Sequence, residues 1–176
     1  MADREIRQVL IEGNAAYVPL TQGYIAIIDA SDVPLVNQWN WNALIATDRS
    51  GALRTVYAVC NALRSGKADR LLMHRVISQA PDGRYVDHIN GDGMDNRRIN
   101  LRIATQAQNS RNTRLRHDST SGVKGVMWES SRGKWKAQIT VDGVQSTLGR
   151  FDTIEDAAAC VTVERSRLHG DFARHK

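Results

Sequence analysis

Cysteine is scarce in this 176-residue chain: Cys60 and Cys160 lie a hundred residues apart, and neither belongs to a Cys-x-x-Cys pair. Such spacing excludes a disulfide framework and a structural zinc site, and both side chains are expected as buried thiols. Long apolar runs are missing as well. Nothing approaches the ~18 consecutive apolar residues of a membrane span. Met1-Ala2-Asp3-Arg4-Glu5 also lacks the charged-then-apolar layout of a signal peptide, so an intracellular, cytoplasmic chain without a membrane partner is expected. Heptads are absent, which removes a common dimerisation signal and points to a monomer. The last absence is local: no acidic residue occurs from Arg97 to His117, while six arginines fall in the same stretch.

A net charge of +5 and a pI near 9.6 suit a polyanionic partner, although charge alone speaks of solubility and nonspecific attraction rather than of fold. Its distribution says more. Residues 1–60 hold four basic and six acidic side chains, residues 61–118 eleven and six, and residues 119–176 nine and seven. The electrostatic footprint is therefore in the middle of the chain. The length allows one ordinary domain or two small ones, and small modules fit the segment pattern better.

Inside the footprint stands Asp87-His88, with Asn100 and Asn109 downstream. Hydrolysing a phosphodiester needs a deprotonated water, a cation at the scissile phosphate and a stabilised leaving oxygen. Histidine, with an ordinary pKa near ~6.5, offers a neutral imidazole that accepts a proton from water. Asp87 offers a carboxylate. Neighbours on a strand point to opposite faces, so Asp87 and His88 share one site only where the strand ends, and Asn90-Gly91-Asp92-Gly93 supplies the turn. Asn109 adds an amide oxygen, a hard neutral donor suited to Mg²⁺ or Ca²⁺ and poor for zinc. Thr105 followed by Gln108 forms a capping box, which starts a helix at Thr105 and places Asn109, Ser110 and Arg111 near an N-terminus that attracts phosphate. Arg84-Tyr85-Val86 and Leu101-Arg102-Ile103 read as the two strands before it, enclosing a long loop. Asn96 and Asn112 read as turn and helix-end residues.

The ordered series Met73-His74-Arg75-Val76-Ile77, Val86-Asp87-His88-Ile89-Asn90-Gly91-Asp92, Asp95-Asn96-Arg97-Arg98-Ile99-Asn100-Leu101-Arg102 and Gln108-Asn109-Ser110-Arg111-Asn112 resembles the HNH homing endonucleases. The resemblance implies that His88 is the general base, that Asp87 and Asn109 bind one divalent cation (Mg²⁺, with Mn²⁺ or Ca²⁺ as alternatives), and that Asn100 braces the loop behind His88. His74 matches an upstream histidine that either orients a phosphate or packs. Arg97, Arg98, Arg102, Arg111, Arg114 and Arg116 become candidate phosphate contacts on double-stranded DNA.

Residues 1–72 read as a β-rich leader, with strands at Tyr17–Leu20, Tyr24–Ile28 and Thr55–Val59, and a short helix capped by Ser31 or Asp32. Trp39 and Trp41 are spaced to share one strand face, with core packing as their expected job. Its Pro-Leu-Thr, Asp-Ala-Ser-Asp and tryptophan pattern resembles the leader of phage-type HNH proteins. Residues 73–112 form the catalytic unit and 113–122 a basic linker. Residues 123–176 form a second module, with strands at 123–128, 134–141 and 145–151 and a helix capped by Thr153 and ended by Gly170. In the middle strand Trp135, Ala137 and Ile139 alternate with Lys136, Gln138 and Thr140.

Lys124-Gly125-Val126, Gly133-Lys134-Trp135, Ala137, Ile139, Leu148-Gly149, Phe151-Asp152-Thr153, Ala157-Ala158 and Gly170 resemble the Apetala-2 type DNA-binding domain of plant ethylene-response factors. That resemblance implies a three-stranded sheet laid in a major groove. The DNA-facing positions hold Lys124, Met127, Arg132, Gln138, Thr140, Gln145, Thr147 and Arg150, with Lys134 and Lys136 as further contacts; several differ from the plant residues, so the plant target sequence does not transfer. The expected class is α+β: β-rich leader, ββα-metal unit, and a three-stranded antiparallel sheet packed on one helix. The expected function is metal-dependent DNA hydrolysis by a monomeric, homing-type nickase. The competing readings are a DNA-binding regulator on a non-catalytic HNH scaffold and a defence or structure-specific nuclease.

Overall fold

The computed structural model describes residues 6–48, 50–64, 67–111, 115, 119–141 and 143–173, and of residues 63, 64, 67, 68, 110, 111, 169 and 171 only the backbone. The fold is α+β, and the chain forms two compact units, Met1–Thr105 and Gln106–Lys176. The sequence boundary at 72/73 lies inside the first of these.

The first unit begins with an antiparallel meander of β1 (Leu10–Glu12), β2 (Ala15–Pro19) and β3 (Ile25–Asp29). Period-two alternation works as it should: Ala16 and Val18 on β2, and Ala26 and Ile28 on β3, all face the core. A short helix, α1 (Val33–Val36), follows with Pro34 in its first turn. Asp32 occupies the N-cap position, yet its side chain makes no cap bond. Its carboxylate is used elsewhere, as described below.

Trp39 and Trp41 do not lie on a strand. They sit in the connection after α1 with rings 5.9 Å apart in a T-shape. The Trp41 indole N–H donates to Val36 O at 2.9 Å, and its own carbonyl accepts from the Arg7 guanidinium. With those groups taken by a helix end and a side chain, the alternate spacing came from a turn. Both pack in or against the core, as expected of their bulk.

A second meander consists of β4 (Asn42–Thr47), β5 (Leu53–Arg64) and β6 (Lys67–Leu72), and it leads without a loop into α2 (Met73–Ser78). That helix turns Met73, His74 and Ile77 inward. Trp41, Ile28, Met73, Ile77, Val36 and Cys60 are the bulk of one continuous core. The hairpin β7 (Tyr85–His88) and β8 (Leu101–Ala104) completes the unit, in the register Tyr85↔Ala104, Val86↔Ile103, Asp87↔Arg102 and His88↔Leu101.

Leader and hairpin are joined by specific bonds. Ile27 N–H donates to Met94 O at 2.9 Å and Asn96 N–H to Ile27 O at 2.7 Å, a parallel bridge between β3 and the loop that follows His88. Arg98 donates its backbone N–H to Asp29 at 2.8 Å and its guanidinium to both oxygens of Asp32, the shortest at 2.6 Å. Gly93 makes the close approach possible: a Cβ there would meet Val56 O at 2.2 Å and the Tyr57 ring at 2.8 Å.

The second unit holds α3 (Gln106–Arg111), then a sheet in the order β11-β10-β9 from β9 (Val126–Glu129), β10 (Lys134–Val141) and β11 (Val144–Phe151), and finally α4 (Ile154–His169). The first strand starts three residues later than its apolar pattern suggests, because Ser121 draws the chain into a turn through hydroxyl bonds to Val123 O at 3.0 Å and Val126 O at 2.6 Å. Thr153 caps α4, its hydroxyl accepting from Asp156 N–H at 3.2 Å, and Gly170 closes it with φ 51°. Val126, Ala137, Ala157 and Val161 form the core, flanked by Trp135, Phe151 and Cys160. Cys160 is half-buried, whereas Cys60 is buried as expected of both. The linker positions 113, 114, 116, 117 and 118, Asn112 and the Asp142 turn position lie outside the described residues.

Candidate active site

His88 is the last residue of β7 and Asp87 the one before it, so the strand ends where the two must diverge from strict alternation. Both are buried, at 5% and 6% exposure. Across the hairpin, Arg102 Nε and Nη2 donate to Asp87 Oδ2 at 2.8 and 2.6 Å.

Beyond β7 the chain has no regular structure until a 3₁₀ turn at Arg98–Asn100, and side chains supply the missing order. Asn100 accepts the Asn90 N–H at 3.0 Å on its amide oxygen and donates its amide to Asp95 O at 2.7 Å, while its backbone carbonyl takes the Ile89 N–H at 2.9 Å. Asn90 reaches Asp95 at 3.0 Å, and Asp92 accepts from Met94 N–H at 2.9 Å, an Asx-turn that starts the bend toward β3. Asp95 also binds Arg97 at 2.8 and 2.7 Å, which holds its carboxyl below the usual range.

One residue in this loop carries more than its sequence suggests. Asn96 is fully buried, and its amide oxygen lies 3.3 Å from His88 Nε2. Two further rings close around His88: His74 from α2, edge-on at 5.0 Å between centroids, and Tyr57 from β5 at 5.9 Å. Burial pushes His88 below its ordinary pKa, an effect partly offset by Asn96 and the carboxylates of Asp87, Asp92 and Asp95, so its imidazole is neutral at physiological pH. His74 is driven further, down to about 3, by burial and by the charges of His88 and Arg75. It packs in the site as a neutral ring.

The structure thus brings Asp87, His88, Asn100 and His74 into one neighbourhood within the first unit, and adds Asn96 and Tyr57. Asn109 lies on α3 of the second unit, half-buried. Arg97, Arg98 and Arg102 each engage a carboxylate of the fold, with side-chain exposures of 43%, 51% and 15%. The first two keep half of their surface for another partner, while Arg102 is turned inward onto Asp87. Arg111 is described by its backbone only, and Arg114 and Arg116 lie outside the described residues.

On the second unit, Lys134, Lys136, Gln138 and Thr140 alternate with the buried Ala137 and Ile139 and so share the sheet face away from the core. Lys136 pairs in register with Arg150 and Met127, and Thr140 with Gln145. Glu129 binds Arg150 at 2.5 Å and Arg132 at 3.6 Å, and Lys134 binds Asp152. Lys124 offers its carbonyl to the buried Arg165.

Among the described residues no group of three or more His, Cys, Asp and Glu side chains is arranged around a metal position, and no helix is long and apolar enough to cross a membrane.

Residues 72–111 match the family described as HNH endonuclease. The chain is 36% identical over 96 residues to Protein 3.8 of Escherichia phage T7, covering 54% of this chain and 78% of that one. It is 29% identical over 153 residues to Uncharacterized HNH endonuclease L560 of Acanthamoeba polyphaga mimivirus, covering 86% and 74%. Residues 72–111 of the chain form an HNH endonuclease domain. No solved structure matches it. The family match spans α2, the hairpin, its loop and α3, the segments that carry His74, Asp87, His88, Asn96, Asn100 and Asn109. HNH endonucleases generally use a divalent metal, and a DNA-acting nuclease of this family has DNA as its substrate.

Proposed function

We propose that this HNH endonuclease is a metal-dependent, site-specific DNase of the phage homing type that hydrolyses one strand per binding event. The observation that carries the reading is the adjacency, at the end of β7, of a buried neutral imidazole and a buried carboxylate. His88 accepts the proton of the attacking water. Asp87 and Asn109 are the residues that would hold a divalent ion, Mg²⁺ above Mn²⁺ or Ca²⁺. A carboxylate and an amide oxygen are hard donors of the kind such an ion takes, and in the structure Asp87 Oδ2 is held by the Arg102 guanidinium. When bound, the ion supplies charge neutralisation at the scissile phosphate and the leaving 3′ oxygen. Asn100 braces the loop behind His88, and the exposed halves of Arg97 and Arg98 are suited to neighbouring phosphates, with Arg111, Arg114 and Arg116 as further contacts.

The second unit is assigned as a reader of the Apetala-2 type. Support comes from its three-stranded sheet on one helix and from an outward face carrying Lys134, Lys136, Gln138, Thr140 and Arg150, groups able to bond base edges and phosphates. Lys124 and Arg132 are further candidate contacts. The asymmetric order of catalytic unit, basic linker and reader suits a monomer on a non-palindromic site in the cytoplasm of a bacterium or phage-infected cell.

The test is a supercoiled plasmid library of host genomic DNA incubated with the protein and Mg²⁺, with breaks mapped by sequencing. Conversion to open circle first, at a rate linear in enzyme, is expected. Direct linear product with second-order dependence on enzyme rejects the nickase. His88→Ala should abolish cleavage and keep DNA affinity within a few fold; undiminished cleavage rejects His88 as base and favours a regulator that only binds.

A further inference from the structure

Both ends of the Asn96 side-chain amide are committed. Its Nδ2 donates to Gly93 O at 3.3 Å and to Met94 O at 3.1 Å. Carbonyl oxygens only accept, so the NH₂ group must occupy that side of the amide and the oxygen the other. On that other side lies His88 Nε2, at 3.3 Å. An acceptor facing a ring nitrogen requires that nitrogen to be the donor. A neutral imidazole carries one ring proton, so with the proton on Nε2 the lone pair resides on Nδ1. The position of the amide is fixed from outside the hairpin: the Asn96 N–H donates to Ile27 O of β3 at 2.7 Å. Asn96 is fully buried, so bulk water does not compete for this contact.

We propose that Asn96 is the positioning residue of His88, its amide oxygen holding the ring proton on Nε2 so that Nδ1 is the nitrogen that takes a proton from water. This rests on the reading of His88 as general base. His74 and Tyr57 meet His88 through ring contacts at 5.0 and 5.9 Å, which orient a plane without choosing a nitrogen. An aspartate at position 96 would keep an acceptor for Nε2 and lose the two donated bonds that orient it; a leucine would fill the volume and lose the acceptor.

The tautomer is measured on the full chain, ¹⁵N-labelled at histidine, by long-range ¹H–¹⁵N spectra at neutral pH without DNA or metal. A protonated Nε2 and an unprotonated Nδ1 at His88 are expected in the wild type, and a shift toward the other tautomer in Asn96→Leu. A protonated Nδ1 in the wild type overturns the proposal. With cleavable DNA and Mg²⁺, Asn96→Leu should lose on the order of 10–100-fold in kcat, with KM changed by less than about two-fold, the range typical of residues that orient a catalytic group from behind. An unchanged kcat overturns it too. If Asn96→Leu does not fold by circular dichroism, the wild-type tautomer decides alone. Because that spectrum needs no cleavage, a chain with the Nε2 proton that cuts no DNA refutes the nuclease reading and leaves the Asn96–His88 tautomer assignment standing, whereas a cutting chain with a protonated Nδ1 refutes the assignment alone.

Discussion

Asp87 and Arg102 face each other in register across the β7–β8 hairpin, and the guanidinium Nε and Nη2 donate to the same carboxylate oxygen, Oδ2. The pair is 8% and 15% exposed, so water screens the attraction between the two charges only weakly. Truncating one partner of a buried pair removes a charge-assisted interaction in a poorly solvated place, at a cost of about 3 kcal/mol or more. Arg102→Met is expected to destabilise the fold by about that amount in urea titrations, and Asp87→Asn combined with Arg102→Met to recover part of it. Strict additivity of the two single changes would show that the pair does not couple.

The Asp32–Arg98 bond predicts an asymmetry. Asp32 is 3% exposed and Arg98 51%, so losing the arginine leaves a buried carboxylate unpaired, whereas losing the acid leaves a cation that water can solvate. Arg98→Ala should therefore lower the melting temperature more than Asp32→Asn. Hydrogen exchange should locate the damage at the Asn96 amide, bonded to Ile27. Equal effects of the two changes would argue against this account.

Gly93→Ala tests the packing of the loop on β5. The new methyl would sit 2.2 Å from a backbone carbonyl, which no rotamer change relieves. A cost of about 1–3 kcal/mol is expected from overpacking, together with slower cleavage because His88 and Asn96 sit on the displaced segment. A neutral outcome in both assays would mean that the loop slides freely over β5.

His74 makes stability depend on pH. Its folded pKa, about 3, lies below the ordinary value of 6.5, so the unfolded chain binds the proton first as pH falls. Stability is fully present above about 6.5 and is lost on acidification toward 3, at up to about 1.4 kcal/mol per pH unit for one such group. The depressed His88 acts in the same direction. His74→Phe should flatten the slope of stability against pH between 6.5 and 4. An unchanged slope would show that His74 does not stay neutral in the folded chain.

Much of the site could be read in the sequence because its chemistry is local. Asp87, His88 and Asn100 sit in one short stretch of chain, and the turn after His88 is written in Asn and Gly. What escaped depended on distance or on context. Asp32 reads as a helix cap and instead binds a guanidinium 66 residues away, which no local pattern encodes. Asn96 reads as a turn residue because a short amide between Asp95 and Arg97 is usually one. The available signal was that a loop returning to a buried histidine must bury some of its own polar groups, and these must pair. β6 was hidden by its charge, since Lys67, Asp69 and Arg70 mask a strand that pairs along its length with β5. The second unit was more legible, its alternation and helix cap agreeing with the fold at nearly every position.

The loop between β7 and β8 has a further consequence, for the way such a sequence can change over time. Asn90, Asp92, Asp95, Asn96 and Asn100 take their partners mostly from one another and from the loop's own peptide groups. Exchanging Asp95, Asn96 or Asn100, which are buried, removes a partner from a neighbouring group, and a one-residue insertion would break several bonds together. Drift in this segment is therefore expected to be all-or-none: lineages that keep cutting keep the whole set and its length, and those that lose one amide have little left that holds the others.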